Sequence, residues 1–204
     1  MFRLFTFLLI ATLSVASADD MASYRELRYE GVTGQTEWFT CGPAALSTLF
    51  GEYYGLADMG ELELLELSIQ AMAGTDHDIE ESGVTALALK QVAEAKGIPT
   101  KGFSVTMEEL RDYFETGGLP LLIHVTRPEL HYVIAVGLVG ESIVIADPSF
   151  GRRILAFESL VFEKGFSGVV LVSVPDEAAA ERAKRVQAAT LLWASRRLTR
   201  LASL

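Results

Sequence analysis

Gln35-Thr36-Glu37-Trp38-Phe39-Thr40-Cys41-Gly42-Pro43-Ala44-Ala45-Leu46 is the stretch on which the reading of this chain turns. It holds the only cysteine. A lone cysteine cannot close an intramolecular disulfide, so Cys41 is a buried passenger, half of an intermolecular bridge, or a working thiol. Gly42-Pro43 followed by Ala44, Ala45, Leu46, Leu49 and Phe50 predicts a helix that opens at the cysteine, because proline's missing N–H costs nothing in a first turn. That helix should end near Gly51 or in Tyr53-Tyr54-Gly55. A thiol of ordinary pKa, about 8.5, is only a few per cent ionised at neutral pH. A helix N-terminus, a neighbouring imidazolium and a group that orients that imidazole all favour the thiolate. The stretch supplies the first of these. The Cys41 N–H could serve an oxyanion, with the Gln35 side-chain amide as second donor, and Gly42 would leave room for a substrate carbonyl.

The chain has three histidines to offer as partners. His77 lies in the polar run GTDHDIEES, read as a loop, and should be solvated. His124 sits inside Leu121-Leu-Ile-His-Val125, as a core or rim histidine. His131 opens His-Tyr-Val-Ile-Ala-Val-Gly137 just after a turn, held at the mouth of a strand and still accessible. His131 is the preferred base and His124 the runner-up. Ser142-Ile-Val-Ile-Ala-Asp147-Pro148-Ser-Phe-Gly151 places an aspartate at the end of the next apolar strand. A hairpin turned at Gly140-Glu141 would bring Asp147 beside His131. An aspartate before proline is equally a turn former.

The surrounding pattern is helical first and stranded later. Helices are expected over 62–72, over 83–96 with Ser82 as cap and Gly97-Pro99 as stop, and over a short segment opened by the Thr106/Glu109 capping box. Strands are expected at 119–125, 131–138, 142–146, 153–157 and 168–174. This is an α+β arrangement, with helices followed by an antiparallel sheet.

Arg3, the apolar run Leu4–Val15 and Ala16-Ser17-Ala18 describe a secretory signal peptide over 1–18, cut after Ala18; the alternative is an uncleaved anchor. The main domain is then 19–175, followed by a tail over 176–204. Between Asp19 and Pro175 there are 24 acidic and 10 basic residues; from Asp176 to Leu204 there are three acidic and six basic. So acidic a body excludes nucleic acid as partner, because phosphate contacts demand basic surface. In the tail, Leu191, Ala194, Leu198, Leu201 and Ala202 share one helical stripe, and Arg182, Arg185, Arg196, Arg197 and Arg200 another. Such a helix suits an anionic membrane surface or an acidic partner; the alternatives are docking on the acidic body or a partly disordered end. No His, Cys and carboxylate cluster has metal-ligand spacing, and no cofactor is implied.

Taken in order, Gln-x5-Cys-Gly-Pro, the His131–Gly137 strand and Ala-Asp-Pro-Ser-Phe-Gly resemble the bacteriocin-leader, or double-glycine, peptidases, a papain-like cysteine peptidase family. The resemblance runs from about Tyr29 to Val174. It implies a helical half carrying the cysteine packed on a sheet half carrying histidine and aspartate. By matching position it implies Cys41 as nucleophile, His131 as general base and acid, Asp147 as orienting group and Gln35 as oxyanion donor. It also implies a polypeptide substrate, and, for a free-standing exported member, a periplasmic or extracellular place beside secretion or functional-amyloid components. Two rival readings are a cleft that binds an extended peptide without cutting it, and amide hydrolysis in cell-wall peptides.

Overall fold

Pro43 does lie in the first turn of a helix, and the helix starts at Cys41 itself. A computed structural model of the chain describes residues 23–202; the export segment read at 1–18 lies outside the described residues. A short helix α1 (Tyr24–Arg28) comes first. The cysteine helix α2 (Cys41–Ser47) follows and runs on as a π-helical turn, Thr48–Tyr53. Every residue of α2 is buried, so it is a central element that is apolar all round rather than striped. Leu46, Leu49 and Phe50 are completely buried; truncating Leu49 to alanine would cost about 2–5 kcal/mol.

Helix α3 (Glu61–Ala71) packs on α2. The segment read as a loop carries a one-turn helix α4 (Ile79–Ser82), because the Asp78 carboxylate accepts from the N–H groups of Glu80 and Glu81. The next helix α5 (Ala86–Ala95) starts three residues later than expected. Thr85, not Ser82, is its cap, since Gly83 at φ 72° is far from helical. Val84, Leu89 and Val92 are buried as their spacing requires, while Leu87 faces solvent.

Strand β1 (Thr100–Ser104) escapes the sequence pattern because four of its five residues are exposed, leaving no alternation to read. Helix α6 (Met107–Glu115) opens with the expected capping box, Thr106 with Glu109. The other strands are β2 (Leu121–Val125), β3 (His131–Val139), β4 (Ser142–Asp147) and β5 (Gly151–Ala156). A single turn α7 (Ser159–Phe162) then leads into β6 (Phe166–Ser173). The six strands form one antiparallel sheet in the order β1-β6-β2-β3-β4-β5. One face, with Tyr132, Ile134, Val136, Val144 and Ala146, packs with α2 and α5. The other, with Val133, Ala135, Ile143 and Ile145, packs against residues of α6 and α7.

The basic tail is one long helix, α8 (Glu177–Ala202), docked on the body. Ala179, Ala183, Thr190 and Ala194 are buried at the contact, and the helix meets β3 and the π-turn. Small side chains rather than charges make this seat. Leu191 packs over Gly137, where a Cβ would come within 3.1 Å of it. The Gln187 amide donates to Val136 O at 2.7 Å and to Gly118 O at 2.9 Å.

Candidate active site

The hairpin β3–β4 turns at Gly140-Glu141 as expected, with Gly140 at φ 56°. A plain two-residue hairpin would nevertheless have failed to assemble the site. Val139 pairs with Ser142, Leu138 with Ile143 and Gly137 with Val144. Continued unbroken, that register sets Asp147 opposite Ile134, on the face that His131 does not share. The register shifts between Ala135 and Gly137, so that Ala135 pairs with Ile145 and Ile134 with Ala146. This bulge carries Asp147 across to the same face as His131. The glycine within the strand was its one sequence signal. Gln187 of α8 binds the carbonyl of Val136, the residue inserted at the bulge.

His131 Nε2 lies 2.9 Å from Asp147 Oδ1. The same carboxylate oxygen accepts the Ser149 N–H at 3.0 Å. Asp147 has no solvent exposure. Burial alone would favour its neutral form, but the hydrogen bond and charge of His131 and the Ser149 N–H hold its pKa below the usual carboxylate range. Burial likewise opposes a charged His131. The Asp147 hydrogen bond and the facing Cys41 sulfur outweigh it, and raise the imidazole to about 9. With Nε2 given to Asp147, Nδ1 is the ring nitrogen left for the sulfur. The structure thus brings Cys41, His131 and Asp147 together.

The other two histidines stand apart. His124 Nδ1 lies 3.0 Å from Ser167 Oγ, and its ring packs 4.9 Å from that of Tyr132. Burial, and then the charge of His131, lowers its pKa. His77 is exposed, with Nε2 2.8 Å from Gly83 O.

Cys41 is only 4 % exposed and lines a cavity of about 220 Å³ walled by Trp38, Phe39, Leu130, Glu81 and Glu129. Thr40 is the helix N-cap, yet its side chain makes no capping bond. Its hydroxyl turns to the Glu61 carboxylate and to Glu37 O. Glu61 is itself buried and also accepts the Thr36 N–H at 2.8 Å. The first N–H groups of α2 are therefore not covered by a cap side chain and remain as donors. Gly42 has a packing reason to be glycine: a Cβ there would lie 2.9 Å from Leu89 Cδ1. Room for the helix against α5, rather than room for a substrate carbonyl, is what the structure assigns to it.

Gln35 sits beside the site but not with a free amide. Its Nε2 donates to Glu37 O at 2.9 Å and to Trp38 O at 3.2 Å, and its Oε1 accepts from Ser149 Oγ at 2.8 Å. Ser149 belongs to the turn after Asp147, so the cysteine loop and the aspartate turn are tied together. Gln35 N–H to Pro148 O at 3.0 Å, Tyr29 Oη to Ser149 O at 2.7 Å and Arg28 Nε to Phe150 O at 2.7 Å reinforce the tie. Gly151, at φ 74°, permits it, since a Cβ there would overlap the Arg28 carbonyl oxygen at 2.0 Å. Sequence reading found neither Ser149 nor Glu61, because both act through contacts distant in sequence.

A family model, the peptidase C39 family, matches residues 30–178. The chain belongs to that family. C39 members are cysteine peptidases, and the papain-like α+β arrangement expected from the sequence is the one observed. The chain is 27% identical over 154 residues to the probable functional amyloid protease FapD of Pseudomonas aeruginosa, covering 74% of this chain and 64% of that one. The peptidase domain of Streptococcus ComA, a bifunctional ABC transporter of a quorum-sensing pathway, superposes with a TM-score of 0.58 at 23% identity. That match covers 71% of this chain and 98% of the domain. A double glycine motif protease from an AMS/PCAT transporter, solved with its leader peptide, gives a TM-score of 0.56 at 25% identity, covering 71% and 91%. The C39 match stops two residues into α8, so most of that helix lies outside the matched span.

Proposed function

We propose that this C39 peptidase is an exported endopeptidase that cuts one peptide bond in a secreted or leader polypeptide, with Cys41, His131 and Asp147 as its working set. The observation that carries this reading is the 2.9 Å contact of His131 Nε2 with a fully buried Asp147, with Cys41 facing the ring from the start of α2. His131 takes the Cys41 thiol proton, the sulfur attacks the scissile carbonyl carbon, and the carbonyl oxygen takes the negative charge. The uncapped N–H groups of α2 receive that oxygen. Gln35 joins them by releasing Trp38 O, the longer of its two amide contacts. His131 protonates the leaving amine, which leaves a thioester on Cys41. Water then attacks the thioester with His131 as base, releasing the acid and restoring the thiol.

A Gly-Gly pair is the candidate cleavage signal, supported by the similarity to a double glycine motif protease. A place in the periplasm or outside the cell, beside functional-amyloid or other secretion components, is supported by the signal-peptide pattern and the likeness to FapD. The test is to incubate the chain and its Cys41→Ala variant with a polypeptide bearing a Gly-Gly site, the same polypeptide with Ala-Ala there, and muropeptides. Cysteine-dependent cleavage after Gly-Gly alone supports the reading. Cleavage of muropeptides alone would replace it with cell-wall amide hydrolysis. Peptide binding without any cleavage would replace it with a non-cutting module.

A further inference from the structure

Asp147 spends only one of its two oxygens on the hydrogen bonds described above. Both His131 and the Ser149 N–H go to Oδ1. Oδ2 is buried and accepts no hydrogen bond among the described residues. A fully buried carboxylate with half its acceptor capacity unused is costly unless charge compensates for it. Two cations stand there: Arg153 Nη1 at 3.7 Å and Lys164 Nζ at 3.8 Å. Neither is a loose surface chain. The Lys164 side chain is only 12 % exposed, and that of Arg153 33 %. The Lys164 backbone is pinned where β2 ends, its carbonyl accepting the N–H groups of Thr126 at 3.1 Å and Arg127 at 2.9 Å. Both cations also lie over the Phe150 ring, each 5.4 Å from its centroid, which fixes their heads beside the turn that follows Asp147. Burying a lysine disfavours its charged form, and Asp147 opposes that loss.

From this arrangement we propose that Lys164 and Arg153 are positioning residues for the Cys41–His131 pair, acting through Asp147. They hold the carboxylate ionised and turned so that Oδ1 faces the imidazole. The inference rests on the peptidase reading but has its own readout. The charged and titratable groups around the pair are Asp147 on β4, Tyr132 on β3, His124 on β2, Arg153 on β5, Glu163 and Lys164 on the turn before β6, and Glu81 and Glu129 on the cavity that Cys41 lines. Each cation favours the anionic aspartate and disfavours the imidazolium. Removing one therefore lets Asp147 protonate more readily as pH falls, and keeps His131 protonated to higher pH. Both limbs of a pH profile then move to higher pH.

The experiment follows the His131 ring by NMR titration, and the pH profile of Cys41 alkylation, in wild type, Lys164→Met, Arg153→Met and Lys164→Arg. The expected result is an upward displacement of the His131 midpoint by about half to one pH unit in either methionine variant. Lys164→Arg, which keeps the charge, should stay at the wild-type position. Midpoints unchanged in both methionine variants would overturn the proposal, even if the rate of cleavage fell, since that would mark a packing role only. If Lys164→Met fails to fold, Arg153→Met decides. A midpoint that moves in a protein that cuts no peptide would retain the electrostatic role and remove the peptidase reading.

Discussion

Cys41 and the His131–Asp147 pair meet at one site, yet the helical side and the sheet side are fixed in different ways. On the sheet side, position comes from local rules: an apolar strand, a glycine turn, a second apolar strand, and one bulge that resets the register. On the helical side, the cysteine is at the first turn of a buried helix, but the loop that precedes it is held by partners from elsewhere in the chain. Glu61 is 21 residues from Thr40, and Ser149 is 114 from Gln35. Local order thus sets the His131–Asp147 pair, and long-range ties set the loop that leads into Cys41. Damage to the first should show in the rate of chemistry. Damage to the second should show in both stability and rate.

The strongest break comes on the sheet side. Asp147→Asn keeps the shape of the side chain but removes the charge that favours an imidazolium. Turnover of a peptide substrate should fall by about a hundredfold to ten-thousandfold. A change below threefold would mean that Asp147 is a turn former and no more.

On the helical side, Glu61→Ala deprives the Thr36 N–H and the Thr40 hydroxyl of their buried acceptor. It should cost about 1–3 kcal/mol in denaturant unfolding. Turnover should also drop, by about tenfold to a hundredfold, through a displaced oxyanion donor. Lost stability with full activity would show that the loop matters to folding but not to the site.

The bulge offers a way to sharpen the contrast. Gln187→Ala leaves Val136 O and Gly118 O without the amide that now serves them. A loss of about 1–3 kcal/mol is expected. The fall in turnover should be smaller than for Asp147→Asn, since the strand pairing around the bulge remains. Equal losses in the two variants would mean that α8 is what holds the register.

The last expected effect is a dependence of stability on pH. His131 gains its partners on folding and is raised from an ordinary value near 6.5 to about 9. Its contribution to stability is complete below about pH 6.5 and is lost as pH rises through about 9. Asp147 is shifted downward, so its contribution is present above the ordinary aspartate value of about 3.9 and is lost as pH falls through its folded value. The melting-temperature gap between wild type and His131→Ala should narrow steadily from pH 6.5 to pH 10. A gap constant across that range would deny the raised imidazole.

The same contrast explains what was legible in the sequence. His131, the Gly140-Glu141 turn and the Asp147 strand could be read because each is written in a few adjacent residues. So could Pro43 in the first turn of the Cys41 helix. Strand β1 could not, because its exposed residues do not alternate. The start of α5 was misread because Ser82 and Thr85 are both capping residues, and only the backbone at Gly83 decides between them. The bulge left one trace, Gly137. Without it the sequence pattern placed Asp147 beside His131 on a register that would have kept them apart. Glu61, Ser149, Lys164 and Arg153 left none, since each meets the site only after the chain has folded. The tail showed its amphipathic stripe, Ala194 included, but not that Ala179 and Ala183 would join it in seating the helix.

The central claim is that Cys41 and His131 form an activated pair, and the rate of Cys41 alkylation against pH tests it most directly. Wild type should label fast well below pH 8, and His131→Ala should lose that fast labelling. Both proteins rising together on the curve of an ordinary thiol, near pH 8.5, would contradict it.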